Sequence, residues 1–289
     1  MASKRTGPSA WAQDRLLRLL IGALLLLPYR WRVPLCGWVM SRLIAPFAGW
    51  DRRVRRNLAR VLPELPAAEV ARLARAVPDN VGRAVIEIYS GPEFARRAAR
   101  QPIHGPGLAA LDMAHAQGKP VILVTGHFGN YDASRAALMA RGYRLGALYR
   151  PMNNRYFNDH YVRAITAIGA PLFPRGKEGL AGMLRHLRGG GMLALLVDVH
   201  MHAGAVLRFF GQPARTALSA AELALRYDAA LVPVYAIRAE NGLDFEIRVE
   251  APIPRGTPEE MTQALNDSLE AVVRQHLDQW FWIHRRWRA

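Results

Sequence analysis

Residues 121–124 (Val-Ile-Leu-Val) form an unbroken apolar run between Pro120 and Gly126. Such a run predicts a short strand buried on both faces, in the middle of a sheet. Beyond residue 104 runs of this kind alternate with helical periodicity. Helices are expected over 108–116, 133–141, 158–168, 179–188 and 218–227, and strands over 143–149, 171–173, 192–197 and 231–236. The segment 245–249 (Phe-Glu-Ile-Arg-Val) alternates apolar and polar positions and predicts an edge strand, and 258–279 a long closing helix. The alternation implies an α/β fold, with a central mixed, largely parallel sheet flanked by helices.

The amino-terminal part reads differently. Residues 2–9 are polar and expected to be loose. The stretch 16–27 is strongly apolar but shorter than the roughly 20 residues a spanning helix needs. Tyr29-Arg30-Trp31-Arg32 behind it resembles an interfacial girdle, and a second apolar run covers 33–50. This predicts an uncleaved, membrane-associating helical segment over 1–50, spanning or interfacial; the competing reading is a buried core helix. A basic helix follows over 51–62, with Val54, Leu58 and Val61 at helical spacing, suited to an anionic bilayer or to an ordinary solvated face. Helices over 67–77 and 80–89 are punctuated by prolines, so 51–103 forms a basic helical region and 104–289 the α/β domain.

Charge narrows the partners. Lys+Arg number 39 against 23 Asp+Glu, a formal net charge of +16 over 289 residues. That suits nucleic acid, an anionic membrane or an acidic carrier protein. No finger, RNP-like or Gly-Lys-Ser loop is present, and the basic residues are scattered among apolar runs, which argues against nucleic acid. Cys36 is the only cysteine, so there is neither a disulfide framework nor a thiolate zinc site.

His127 follows the buried strand 121–124, and ligands of such sheets bind beyond the carboxyl ends of the strands. Asp132 lies five residues on, about 140° away on a continuous helix, so the two meet only if 128–130 turn, which Gly129 permits. A histidine held by a carboxylate keeps one tautomer and can take a proton from a hydroxyl through its other nitrogen. The competing reading has His127 filling a turn and Asp132 or Asn130 capping the next helix. Arg150, Arg175 and Asp198 also fall just past expected strand ends. The arginines can hold an anion or an oxyanion, or form surface pairs, and Asp198 can orient a catalytic neighbour or cap a loop. In an extended segment Asp198, His200 and His202 would share one side, a metal-site pattern opposed by Gly204 and by the lack of residues to hold such ligands from behind.

Several segments together resemble the bacterial lipid A late acyltransferases, within the lysophospholipid-acyltransferase-like enzymes marked by His-x4-Asp/Glu. They are 126–132 (Gly-His-Phe-Gly-Asn-Tyr-Asp), Tyr149-Arg150-Pro151, Arg175-Gly176-Lys177, 209–214 and 280–287, with Arg53-x-x-Arg56-Asn57-Leu58 ahead of them. The likeness covers roughly 50–287, in the family's order. It implies an enzyme on the cytoplasmic face of the inner membrane, without cofactor or metal. The enzyme would move a fatty acyl chain from acyl carrier protein to a hydroxyl of an anionic lipid A precursor. His127 would be general base with Asp132 its catalytic partner, and Arg150, Arg175, Asp198 and Asn130 substrate-binding residues. After Asp198 many relatives carry a polar residue where this chain has Val199, followed by His200 and His202. Three alternatives stand: a related acyltransferase using acyl-CoA on another glycolipid or a lysophospholipid, a metal-dependent hydrolase built on Asp198, His200 and His202, and a basic peripheral membrane protein without catalysis.

Overall fold

The computed structural model describes residues 6–288. Of the polar stretch 2–9, residues 2–5 lie outside the described residues, and Pro8 and Ser9 already belong to the first helix. Helices α1 (Pro8–Leu25) and α2 (Tyr29–Val39) are separated at Leu26–Pro28, and a π-helical turn (Met40–Ile44) leads through α3 (Ala45–Phe47) to α4 (Trp50–Val61). The long α5 (Ala67–Tyr89) and α6 (Gly91–Ala98) complete the helical part. The expected break at Pro78 is absent: α5 runs through it, with Pro78 itself buried. No helix of the described residues is long and apolar enough to cross a membrane. The two apolar runs divide their side chains. Tyr29, Val33 and Cys36 enter the core, where α2 packs on α5, while Leu16, Leu19, Leu20 and Phe47 face outward.

The α/β part opens with β1 (Ile103–His104), α7 (Leu108–Ala116), β2 (Val121–Thr125), α8 (Tyr131–Ala140), β3 (Leu145–Tyr149), α9 (Arg155–Ile168), β4 (Leu172–Pro174), α10 (Lys177–Arg188) and β5 (Met192–Leu196). After a hairpin, β6 (Ala205–Phe209) and β7 (Gln212–Thr216), come α11 (Ser219–Arg226), β8 (Ala230–Arg238), β9 (Phe245–Val249) and α12 (Pro258–Gln275). Seven strands form one sheet in the order β1-β9-β8-β2-β5-β3-β4, and every pair is parallel except β8–β9. The 245–249 strand is therefore not at the edge, since β1 covers it.

Strand β2 is buried on both faces as its sequence demands, and its pleat divides two cores. Val121 and Leu123 face α8 with Ala133, Ala137 and Leu138; Ile122 and Val124 face α10 and α11 with Met183, Leu187 and Ala221. A third core joins α4, α5 and α12 to the aromatic carboxyl-terminal segment, where Trp280, Trp282 and Trp287 pack on Phe209 and Phe210. The β6–β7 hairpin turns at Phe210 and Gly211, both with positive φ, the twist a two-residue hairpin prefers.

Candidate functional site

The parallel register of β2 and β5 pairs Thr125 with Leu196. Continuing past both strand ends by two residues brings His127 beside Asp198. His127 Nδ1 lies 2.8 Å from Asp198 Oδ1, and the His127 backbone N–H donates to Oδ2 at 2.7 Å. A third N–H, the indole of Trp280, donates to Oδ2 at 2.9 Å. Asp198 is 1% exposed. Burial alone would raise its carboxyl, but the charge and hydrogen bonds of His127 outweigh it and hold Asp198 far below the usual carboxylate range.

The turn carrying His127 is tied down on every side. Gly129 has φ +53°, and a Cβ there would collide with the Ala236 carbonyl oxygen. Its N–H donates to the Gln279 carbonyl at 2.9 Å, and Phe281 N–H donates to the His127 carbonyl at 2.9 Å. Underneath lies a buried ion pair: both Arg238 Nη atoms donate to Glu87, which also accepts from Asn130 Nδ2 at 2.8 Å. The carboxylate of Glu87 is fully enclosed, so this pair is costly unless complete, and it is complete.

Three expectations are corrected by this geometry. Asp132 does not hold His127: on α8 its carboxylate accepts from Arg135 Nε at 2.9 Å, three residues on along the same helix. Asn130 does not face a ligand: it is 2% exposed, caps α8 through Asp132 N–H and spends its amide on Glu87. Asp198 faces His127 and Trp280 in place of a substrate, so it cannot combine with His200 and His202. Residues 197–204 also form no strand, and the rings of His200 and His202 meet edge to face, 4.8 Å apart.

Arg150 and Arg175 do come to the site. Each is exposed just past its strand, and both line a cavity of about 1000 Å³ that His127 borders. Part of its lining is apolar: Leu138 of α8, Leu145 of β3, and Tyr161 and Ile165 of α9. Asp132 and Arg135 stand in its wall as a neutralised pair.

His284 was not singled out by the sequence. It lies at the edge of the cavity, its ring centroid 4.6 Å from that of His127 and 4.5 Å from Phe281. Its Nε2 is buried without a hydrogen-bond partner among the described residues. Burial pushes its pKa down to about 4, with Asp198 opposing and His127 and Arg286 assisting. His127, Asp198 and His284 also place ligand atoms within 4.8 Å of one another. Asp198 already accepts three N–H groups and His127 Nδ1 is spent on it, so the donor set fits a hydrogen-bonded histidine–carboxylate pair better than an ion. The pair leaves His127 Nε2 available to take a proton from a hydroxyl, while the carboxylate fixes the tautomer.

A mixed sheet delivering such an imidazole from a central strand end to a largely apolar cavity is the layout of an acyltransferase acting without a serine or cysteine nucleophile. The sequence pattern of the bacterial lipid A biosynthesis acyltransferases matches residues 4–289, and the chain belongs to that family. It is similar to the phosphatidylinositol mannoside acyltransferase of Mycobacterium tuberculosis, 26% identical over 275 residues, covering 88% of this chain and 87% of the relative. The protein of that name from Mycolicibacterium smegmatis is 24% identical, over 83% of this chain and 81% of the relative. A lipid A biosynthesis acyltransferase of Haemophilus influenzae is 26% identical over 181 residues, 61% of this chain and 56% of the relative.

Proposed function

We propose that this acyltransferase moves a fatty acyl chain from the thioester of acyl carrier protein to a hydroxyl of a lipid A precursor, at the cytoplasmic face of the inner membrane. The observation that carries the reading is His127, fixed through Nδ1 on Asp198 and bordering a cavity whose lining is in large part apolar. His127 Nε2 takes the proton of the acceptor hydroxyl as its oxygen attacks the thioester carbonyl. Asp198 balances the imidazolium that forms. Arg150 and Arg175 attract the anionic substrates and the developing oxyanion. Collapse of the tetrahedral intermediate breaks the C–S bond, and the proton on His127 passes to the leaving thiolate. A thioester is already activated, so no cofactor is called for.

A membrane setting is supported by the surface. Eleven of the fourteen exposed large hydrophobic side chains among the described residues lie between Trp11 and Phe47. With no spanning helix there, this face would lie in the interface. A second reading has another glycolipid as acceptor and acyl-CoA as donor; its acceptor is favoured by the mycobacterial relatives, named for phosphatidylinositol mannoside, which cover more of the chain than the Haemophilus protein does.

The test is acyl transfer by purified protein with each donor, acyl carrier protein or CoA thioester, against each acceptor, a lipid A precursor or a phosphatidylinositol mannoside. Mass spectrometry of the product should show the precursor acylated fastest from the carrier thioester. Faster acylation of the mannoside from acyl-CoA would establish the second reading. Thioester loss that is indifferent to any hydroxylated acceptor would overturn both.

A further inference from the structure

Beside the His127 cavity lies a second cleft, of about 440 Å³, that the acyl-transfer chemistry does not use. Asn57 joins its two walls. Its buried amide donates to the carbonyls of Trp282 at 2.7 Å and His284 at 2.9 Å, joining α4 to the carboxyl-terminal segment. Arg60 repeats the tie with the Trp287 carbonyl at 2.7 Å. Arg53, Arg56 and Arg60 lie at spacings of three and four, so they share one face of α4. The joint sets Arg285 and Arg288 against that face, and five arginines line the cleft with no carboxylate among its lining residues.

Gathering like charges is unfavourable, and the crowding is felt. The guanidinium of Arg53 has its pKa lowered by burial and by the charges of Arg285, Arg56 and Arg288. Its Nε is buried with no hydrogen-bond partner among the described residues. Guanidinium groups bind phosphate oxygens in pairs, and a doubly charged phosphate ester would relieve the repulsion. Arg53, Arg285 and Arg288 line the His127 cavity as well, so a ligand in the cleft can reach the reaction centre.

We propose that this cleft binds a phosphate ester carried by the lipid acceptor, holding the acceptor while its hydroxyl enters the His127 cavity. The assignment rests on the reading of the acceptor as a lipid. It favours acceptor over donor because the arginines run out onto the apolar amino-terminal surface. A shallow pocket of Ala48, Gly49, Arg52, Arg53 and Arg56 continues the cleft, next to Phe47, which is 93% exposed. Positive charge bordering an exposed apolar face matches an amphiphile with an anionic head.

The test uses full-length protein in neutral detergent and the lipid A precursor before and after phosphatase treatment. Among the described residues Arg56, Arg285 and Arg288 make no side-chain hydrogen bond or salt bridge, so a triple Arg→Gln variant at these positions should fold, with circular dichroism as the check. Arg30, Arg42 and Arg55→Gln is the control matched in charge. The cleft variant should raise KM for the phosphorylated acceptor by about tenfold or more, leave kcat within a few-fold, and lose the preference for phosphate that wild type shows. The control should behave as wild type. A rise in KM for the acyl donor instead would assign the cleft to the donor and overturn the proposal. An equal effect of the cleft and control variants would reduce it to general attraction and overturn it too. Unchanged KM with normal turnover ends this proposal and leaves the acyl-transfer reading standing, whereas no turnover of any phosphorylated glycolipid ends both.

Discussion

Asp198 accepts three N–H groups in an enclosed site, so its charge is fixed in place before any substrate arrives. The neighbouring His284 is the opposite case, an imidazole kept neutral by burial at a pKa of about 4. In the unfolded chain a histidine titrates near 6.5, so between those values the unfolded state holds a proton that the native state lacks. His284 therefore lowers stability as pH falls from about 6.5 to about 4, by up to roughly 3 kcal/mol. Asp198 acts outside that window: its depressed pKa adds stability above about 3.8 that is lost only at lower pH. His284→Gln should unfold in urea with a shallower loss of stability between pH 6.5 and 4.5 than wild type. Equal slopes in the two proteins would show that His284 is not held neutral. His127 was legible in the sequence because a turn with Gly129 follows an apolar strand. Its carboxylate was not, because Asp198 is 71 residues distant and only the β2–β5 register brings it near. The nearer acid, Asp132, is claimed by Arg135 at helical spacing, a competitor that the His-x4-Asp pattern does not reveal.

Among the elements, the apolar runs at 16–27 and 33–50 part company in α1 and α2. Helix α1 rests on α9 and anchors there through Arg18, which donates to the Tyr156 carbonyl and to Asp14. Its outer side carries Leu16, Leu19 and Leu20, whereas α2 inserts Val33 and Cys36 into the core. Each leucine that moves fully from water into lipid gains about 1.5–3 kcal/mol, enough for three to decide membrane binding. Replacing Leu16, Leu19 and Leu20 with Gln should release the protein from liposomes in high salt, where wild type stays bound, without loss of helix signal. Binding equal to wild type would place the contact elsewhere. Deleting residues 1–50 would instead remove core, because α2 is part of it. The helices and most strands were legible from periodicity, since buried faces impose it. The continuity of α5 through Pro78 was not, because packing on α2 outweighs the hydrogen bond that proline removes. Nor was the β6–β7 hairpin, whose Phe210 takes a conformation that its residue type disfavours.

Across the whole molecule, the sheet supplies the His127–Asp198 pair, and α4 and the carboxyl-terminal segment border the cavity beside it. The carboxyl-terminal segment gives Trp280 to Asp198, Phe281 to the His127 turn and His284 to the cavity, and Asn57 of α4 holds that segment in place. The net charge of +16 is not spread evenly, since five arginines crowd into one cleft beside the cavity. Charge read from composition could indicate an anionic partner, but only the fold could say where it would sit. His127, held by Asp198, is the proposed base for acyl transfer. This role is tested most directly by the initial rate of acyl transfer from a saturating thioester donor, measured for His127→Ala beside wild type with circular dichroism as the folding control. The rate should fall by about 10²–10⁴-fold in a folded protein. A folded His127→Ala protein that transfers acyl chains within a few-fold of the wild-type rate would rule out His127 as the base.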